Sequence, residues 1–164
     1  MDIVEILRLH KMWLNNEDGG QLANISGADL IGTDLTNANL SGADLTKATL
    51  SGADLSHADL SHANLRYADL RYADLRYADL RGADLRGVDL TNANLRGADI
   101  DFSAWPLKCG SLNVKTDERL RVQLMFHTLS LIKHADNATD EERAILEATK
   151  GYANKFHRKD VERL

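Results

Sequence analysis

Carboxylate side chains recur every five residues through the middle of the chain, and they are the most frequent groups that could do chemistry. A five-residue pattern runs from residue 23 to residue 102, and eleven of its sixteen second positions are Asp. Paired carboxylates can act as a general acid and a general base. Here the carboxylates recur in unit after unit at equal spacing, and nothing in the pattern predicts a cleft that would bring two of them together. We therefore interpret them as outward-facing groups that accept local hydrogen bonds and keep the surface polar.

Histidine and cysteine are the next candidates for chemistry. His57 and His62 occupy the same position of adjacent repeat units, and Cys109 has no partner at a metal-binding or nucleophile–base spacing. The other histidines fall in predicted flanking helices: His10, His127, His134 and His157. No spacing matches a zinc site. We predict no metal, no cofactor and no catalytic residue, and therefore no enzyme.

Arg-Tyr pairs form the sharpest local departure from the pattern, because earlier units carry mostly small polar residues in the same places. We name seven of these side chains the collar: Arg66, Tyr67, Arg71, Tyr72, Arg76, Tyr77 and Arg81. Arg and Tyr are enriched where proteins bind one another. Each Arg also stands two residues after an Asp or Asn, so surface pairing is easy. Two interpretations stay open, a collar that stabilises the fold and a collar that binds a protein partner.

The repeat unit itself reads Ala-(Asp/Asn)-Leu-x-x, with Ala in fourteen of the first positions and Leu in fourteen of the third. A period of five fits neither a helix nor a strand, so the chain must turn at every fifth residue. Type II turns need a positive φ at that residue, which Gly and Asn tolerate. We predict type II turns at Gly27, Gly32, Gly42, Gly52, Gly82, Gly87 and Gly97. Turns ending in bulkier residues should be of another type: His57, His62, Tyr67, Tyr72 and Tyr77.

The tract of SGADL and RGADL units resembles the pentapeptide-repeat family over about half of the chain. The resemblance implies a mainly β solenoid, a right-handed quadrilateral β-helix in which each unit makes one side and four units make one coil. Sixteen units then give about four coils, roughly 20 Å long at the usual strand spacing. The family pattern also implies that Ala and Leu point inward and stack on residues twenty positions away, while the other three positions point outward.

The flanks of the repeat should cap it. We predict a helix from Asp2 to Asn15 with an apolar face that includes Trp13, so that residues 1–20 form an N-terminal capping helix before the β-helix at 21–102. Residues 103–116 then form a connector under the last coil. Residues 117–164 form an α-helical hairpin, whose second helix begins with a capping box at Thr139. The first hairpin helix has two apolar faces, so any homodimer should use this C-terminal end.

Charge and composition narrow the function classes. The net charge is −5, and residues 23–62 carry five Asp against one Lys, so we expect no direct binding of nucleic acid. No apolar run is long enough for a membrane span. A single Cys excludes an intrachain disulfide framework and favours a reducing, cytoplasmic location.

Two functions remain after these exclusions. The first is a non-catalytic structural or protein-interaction module, since nothing in the pattern predicts a pocket. The alternative comes from the family resemblance alone: some members, of the quinolone-resistance type, mimic DNA and bind a type II topoisomerase, DNA gyrase. Such members are longer and more uniformly acidic than this chain, which has six Arg residues between 63 and 102.

Overall fold

The fold is taken from a computed structural model of the 164-residue chain. The structure describes residues 2–100, together with residues 103, 139, 143, 144 and 147. The chain divides into two compact units, Met1–Thr116 and Asp117–Leu164.

Helix α1 spans Ile3–Leu14 and agrees with the predicted N-terminal helix to within one residue at each end. The Asp2 carboxylate caps it by accepting hydrogen bonds from the N–H groups of Val4 and Glu5, at 3.0 and 3.2 Å. These bonds satisfy donors that have no partner inside a helix. The apolar face is only partly as predicted. Trp13 is 44% exposed, and the one buried side chain of α1 is His10.

The chain returns from α1 to the repeat through a tight reversal. Asn16 and Gly19 both adopt positive φ, at 56° and 81°. Gly20 lies directly against the α1 backbone at Met12 and Trp13, so a side chain there would collide with the helix. The N–H of Gln21 then donates to the carbonyl of Leu9 at 3.0 Å, which ties the return segment to α1.

The repeat winds so that residues twenty positions apart lie side by side. Twelve parallel bridges join second positions of consecutive coils, from Asn24 with Asp44 to Asp79 with Asp99. Each bridge is a single residue pair within the described chain, because the backbone turns after only two or three extended residues. Four units, and therefore four bridges, fill one twenty-residue coil.

Every fifth residue turns the chain in the same way. The N–H of each following first position donates to the carbonyl of the preceding third position, as from Ala28 to Ile25 at 3.1 Å. The seven glycines have φ between 62° and 75°, and no described fourth-position residue has a positive φ, as a type II turn requires. The prediction for the glycines is confirmed.

The prediction that bulkier residues would use another turn is wrong. All five of them share the positive φ, as does Lys47: His57 60°, His62 57°, Tyr67 60°, Tyr72 61°, Tyr77 59° and Lys47 58°. A left-handed conformation costs an L-residue about 1–2 kcal/mol. The register of the coils imposes it nonetheless, because Tyr72 lies between Gly52 and Asn92, whose turns have the same geometry.

The core is made of the first and third positions, as the repeat predicts. All sixteen third positions, from Ile25 to Ile100, are buried, and so are the first positions from Ala43 to Ala98, including Val88. Three first positions of the first coil are only half-buried: Ala28, Thr33 and Ala38. The inward and outward assignment is therefore confirmed, with a looser interior at the end next to α1.

Little of the second unit is described. Arg143, Ala144 and Glu147 are helical, and the N–H of Arg143 donates to the carbonyl of Thr139 at 3.0 Å. The rest of the predicted hairpin lies outside the described residues. So do the connector residues after Ser103, Trp105 and Cys109 among them.

Candidate partner-binding surface

The Asp and Asn side chains of the second positions complete the hydrogen bonding of the backbone. In fourteen units the carboxylate or amide Oδ1 accepts a hydrogen bond from the N–H two residues later, as from Ser61 to Asp59 at 3.0 Å. This is the local hydrogen bonding that the sequence analysis predicted, an Asx turn repeated along each side.

One unit shows that no backbone donor is left over. In residues 58–62, the N–H of Ala58 closes the turn onto Leu55, and the N–H of Asp59 donates to the coil before it. The N–H groups of Leu60 and His62 donate to the coil after it, and the Asp59 side chain accepts the fifth. Since buried backbone donors need partners, the Asp column is explained by folding alone. It needs no catalytic role.

The pKa values of several of these carboxyls agree with that role. Hydrogen bonds from Thr36 and Ser56 hold the pKa of Asp34 and Asp54 below the ordinary range. Hydrogen bonds from arginines two residues later, and then their positive charge, lower the pKa of three more: Asp69, Asp79 and Asp84. A general acid would need the opposite shift, so these groups are poorly suited to acid–base catalysis near neutral pH.

Most arginines of the collar are neutralised by their own unit. Arg71 and Arg76 contact Asp69 and Asp74 at 2.6 and 2.7 Å, and Arg81 pairs in the same way with Asp79. Arg86, which follows the collar, does so with Asp84 at 2.5 Å.

Arg66 differs, because its unit carries Asn64 in place of Asp. Its nearest carboxylate is that of Asp84 at 3.9 Å, and Asp84 already holds Arg86. The Nε of Arg66 is buried without a hydrogen-bond partner in the described part of the chain. Three of the four collar arginines therefore form ion pairs within their own units, and Arg66 has only a long ion pair with Asp84.

The tyrosines of the collar are its exposed groups. Tyr67, Tyr72 and Tyr77 are 61, 64 and 61% exposed. Their hydroxyl groups have no hydrogen-bond partner among the residues that the structure describes. Because one coil takes twenty residues, Tyr67 and Tyr77 lie half a coil apart, and the seven collar residues do not form one patch. Tyr72 lies between them.

Two collar rings also pack on the next coil. The rings of Tyr67 and Tyr77 lie over Gly87 and Gly97, where a Cβ would collide with the ring, at 2.5 Å in the case of Gly87. Outside the collar, His62 lies over Gly82 in the same way. His57 stacks on Tyr77, with ring centroids 5.0 Å apart. Four of the five ring-bearing fifth positions from His57 to Tyr77 are thus followed twenty residues later by Gly or by a stacking ring, and Tyr72, which is followed by Asn92, is the exception. The sequence contains this signal, but the sequence analysis missed it.

Other candidate sites gain no support. Within the described residues, no group of three or more His, Cys, Asp or Glu side chains is placed to hold a metal ion. Two depressions flank α1, one lined by Ile6, Leu9, Gln21, Leu22, Ala23 and Asn24, the other by Leu7, Lys11, Leu14, Asn15, Asn37, Ala38 and Asn39. Neither combines a nucleophile with a base. As far as the chain is described, its helices fall short of the length and apolarity that a membrane span requires.

Comparison with known families identifies the repeat. The family model for pentapeptide repeats matches residues 23–62 and 63–101, in eight copies. The chain belongs to the pentapeptide-repeat family. The described coils of this pentapeptide-repeat protein accordingly form a right-handed β-helix, the fold of the family's solved members.

Solved structures that resemble the chain include the pentapeptide repeat protein Rfr23 of the cyanobacterium Cyanothece 51142. It is 40% identical with a TM-score of 0.50, over 51% of this chain and 57% of that one. A pentapeptide repeat protein of the Arabidopsis thaliana thylakoid lumen is 32% identical over 78% of this chain and 90% of its own, with a TM-score of 0.47. The plasmid-mediated fluoroquinolone resistance protein QnrB1 is 19% identical over 65% of each chain, with a TM-score of 0.29. A comparison with curated protein sequences gave no match.

Proposed function

We propose that this pentapeptide-repeat protein is a non-catalytic interaction module that binds a protein partner through the collar. The observation that carries the proposal is the exposure of three tyrosines in a strained conformation. Gly fills the same position in seven units and has no left-handed strain, yet Tyr67, Tyr72 and Tyr77 stand there. Strained residues persist where the surrounding structure and function require them.

The kind of partner follows from the charges of the collar. Arg71, Arg76 and Arg81 are each held by a carboxylate of their own unit, so they present paired charges rather than free cations. A phosphate backbone needs free cations, and the chain as a whole is acidic. A protein surface that buries Tyr rings and hydrogen-bonds their hydroxyl groups fits better. We propose no direct contact with nucleic acid or membrane.

The test uses Tyr72, whose ring is not among those packed over a glycine. Tyr72→Gly should leave the melting temperature unchanged or slightly raised, because Gly removes the left-handed strain at φ 61°. Lys47→Gly, at φ 58° and outside the collar, is the matched control. Both variants and the unsubstituted protein serve as bait in pull-downs from a lysate of the source organism.

We expect a partner that the unsubstituted protein and Lys47→Gly retain and that Tyr72→Gly loses. A clear drop in the melting temperature of Tyr72→Gly would instead favour the stabilising interpretation of the collar. Identical sets of retained proteins for all three baits would remove the support for binding.

The finer form of the scaffold is part of the same proposal. It is a quadrilateral solenoid of about four coils over residues 21–102, with a capping helix in residues 1–20 and a helical cap in residues 117–164, joined by a connector at 103–116. The twenty-residue spacing of the bridges supports the solenoid, and helix α1 supports the N-terminal capping helix. The hydrogen bond from the N–H of Arg143 to the carbonyl of Thr139, four residues earlier as in an α-helix, supports the helical cap in residues 117–164. We also propose a cytoplasmic location, because the chain has a single Cys.

The second candidate function is DNA mimicry toward a type II topoisomerase. Uncompensated acidity favours it in the first two coils, where five Asp stand against Lys47. In the last two coils, arginines pair with the carboxylates. The acidic surface is thus about 10 Å long at the usual strand spacing, which matches only about three base pairs of duplex. Inhibition of DNA gyrase in a supercoiling assay, retained in Tyr72→Gly, would favour this function over the collar.

A further inference from the structure

His10 lies in an unusual place for a histidine. Its side chain is fully buried between α1 and the first coil, the only buried side chain of that helix. Its Nδ1 accepts a hydrogen bond from the N–H of Ala23 at 3.2 Å. Its Nε2 is buried without a hydrogen-bond partner among the described residues. The ring stacks on Trp13, with centroids 5.8 Å apart and planes 11° apart.

These contacts specify the neutral ring. Because Nδ1 accepts a hydrogen bond, the proton of the neutral imidazole is on Nε2. A second proton would go on Nδ1, where it would face the N–H of Ala23, one donor against another. The charged ring would also lie in a site closed to water.

The surroundings of the ring shift the pKa of His10 in opposite directions. Burial lowers the pKa of His10 below its ordinary value, and the backbone carbonyl of Ser41 and the carboxylate of Asp59 oppose this less strongly. Asp59, in the second coil, is the charged group that acts on the ring from the coils. The causes of this shift include no charged side chain of α1 or of the described return segment at 15–22.

We propose that His10 is a pH-dependent latch that holds α1 on the first coil only while its imidazole is neutral. A group whose pKa is lower in the docked state stabilises docking fully above its free pKa, about 6.5 for His. That contribution is lost as the pH falls from there through the docked pKa. In this interval one proton is taken up on release, so the docking equilibrium constant falls by up to about tenfold per pH unit.

Release would change what the N-terminal end of the β-helix presents. The N–H of Ala23 loses its acceptor, and the half-buried side chain of Ala38, which lines a depression together with Leu7 and Lys11 of α1, gains access to water. The second-position N–H groups of this coil have no coil before them to donate to, unlike Asp44, which donates to Ala23 at 3.0 Å. A free strand edge of this kind can pair with another chain. The latch therefore controls access to the end of the solenoid and not to the collar.

The experiment is hydrogen exchange of the α1 amides at pH 7.5, 6.5 and 5.5, corrected for the intrinsic pH dependence of exchange. His10→Gln is the test variant, because its amide oxygen can accept from Ala23 but does not titrate. His62→Gln is the matched control, because His62 is exposed on the coils. We expect protection of α1 to fall at least threefold between pH 6.5 and 5.5 in the unsubstituted protein and in His62→Gln, and to stay constant in His10→Gln.

Two results would overturn the latch. One is an equal loss of protection in the unsubstituted protein and in His10→Gln, or no loss in either. The other is an NMR titration of the His10 ring in the unsubstituted protein with a midpoint at or above 6.5. If the α1 amides of His10→Gln are already unprotected at pH 7.5, the NMR titration of the unsubstituted protein alone tests the latch.

Discussion

Second-position Asp and Asn side chains act on the backbone beside them. Each supplies an acceptor for the fourth-position N–H, the one donor of the unit that neither the turn nor the neighbouring coils can satisfy. This explains why Asn substitutes for Asp in four units, since the amide has the same acceptor oxygen. The negative charge of Asp is therefore not needed for this hydrogen bond, which Asn accepts as well.

Thr49, the second position that is neither Asp nor Asn, gives a prediction. Thr49 provides no carboxylate or amide oxygen for the N–H of Ser51, so Thr49→Asn should raise the free energy of unfolding by about 1 kcal/mol. Thr49→Asp should gain less, because the bridges place it between the carboxylates of Asp29 and Asp69. Urea unfolding of both variants measures this. If Asp gained as much as Asn, repulsion along the column would be negligible.

The inward positions give a second prediction, based on Leu70 and its neighbour Asp69. Leu70→Ala leaves a cavity in a fully buried stack and should cost about 2–5 kcal/mol. Asp69→Asn keeps the oxygen that accepts from Arg71 and loses only the charge pair, so it should cost less than about 1 kcal/mol. Thermal unfolding compares the two. Similar losses would contradict the assignment of inward and outward faces.

Consecutive coils interact through the turns as well as through the core. At three of the described turns a His or Tyr ring lies over the glycine of the turn twenty residues later, so these fifth positions of neighbouring coils depend on each other. Tyr67 with Gly87 and His62 with Gly82 are such pairs, and His57 with Tyr77 replaces the glycine by a stacked ring. This coupling is part of what holds the coils in register.

A comparison of two glycines measures that coupling. Gly52→Ala meets no atom within 4 Å and should lose only about 1–2 kcal/mol from left-handed strain at φ 68°. Gly87→Ala has the same strain, and its Cβ also collides with the ring of Tyr67. We expect Gly87→Ala to be the less stable variant in urea, and Tyr67→Gly to remove the difference. A difference that survives Tyr67→Gly would show that the ring is not its cause.

The charges of the entire chain determine how the fold responds to acid. Five carboxyls of the described coils have a pKa below their ordinary range: Asp34, Asp54, Asp69, Asp79 and Asp84. Hydrogen bonds from neighbouring hydroxyl, backbone and guanidinium groups are the main cause. A carboxyl whose folded pKa is lower than its unfolded value of about 3.9 stabilises the fold above that value, and the contribution is lost as the pH falls through the folded pKa.

We therefore expect the melting temperature of the coils to be steady from about pH 7 to pH 5 and to fall steeply below about pH 4. Circular dichroism melts across this range measure it. Exchange at α1 should respond nearer pH 6, because it depends on His10 instead. A melting temperature that stayed constant down to pH 2.5 would mean that the carboxylate column contributes nothing as charged groups.

Association of whole chains is a separate prediction, made from sequence alone. Residues 117–133 carry two apolar faces in a helical pattern, and residues 136–164 contain the segment predicted to cover the narrower one. Truncation after Ala135 should expose apolar side chains and promote association, which light scattering measures. A truncated chain that stayed as dispersed and as stable as the full chain would show that residues 136–164 cover nothing important.

Much of the fold was predictable from the sequence, the turn at every fifth residue from the period of the repeat and the β-helix with its inward and outward faces from the resemblance to the pentapeptide-repeat family. Ala and Leu at fixed positions determine the interior, and Asp or Asn beside them completes the backbone hydrogen bonds, so both features follow from the five-residue unit. The ends of α1 follow from Asp2 and from the polar run after Leu14 in the same way.

The three-dimensional arrangement decided the features in which residues far apart in sequence meet. Tyr72 adopts a positive φ against its own preference because Gly52 and Asn92 lie on either side of it in register. Local propensity, about 1–2 kcal/mol per residue, is outweighed by ladder bonds and core contacts repeated in every coil. The same holds for His10, whose burial depends on where α1 meets Ala23, thirteen residues later. No pattern within α1 predicts that contact.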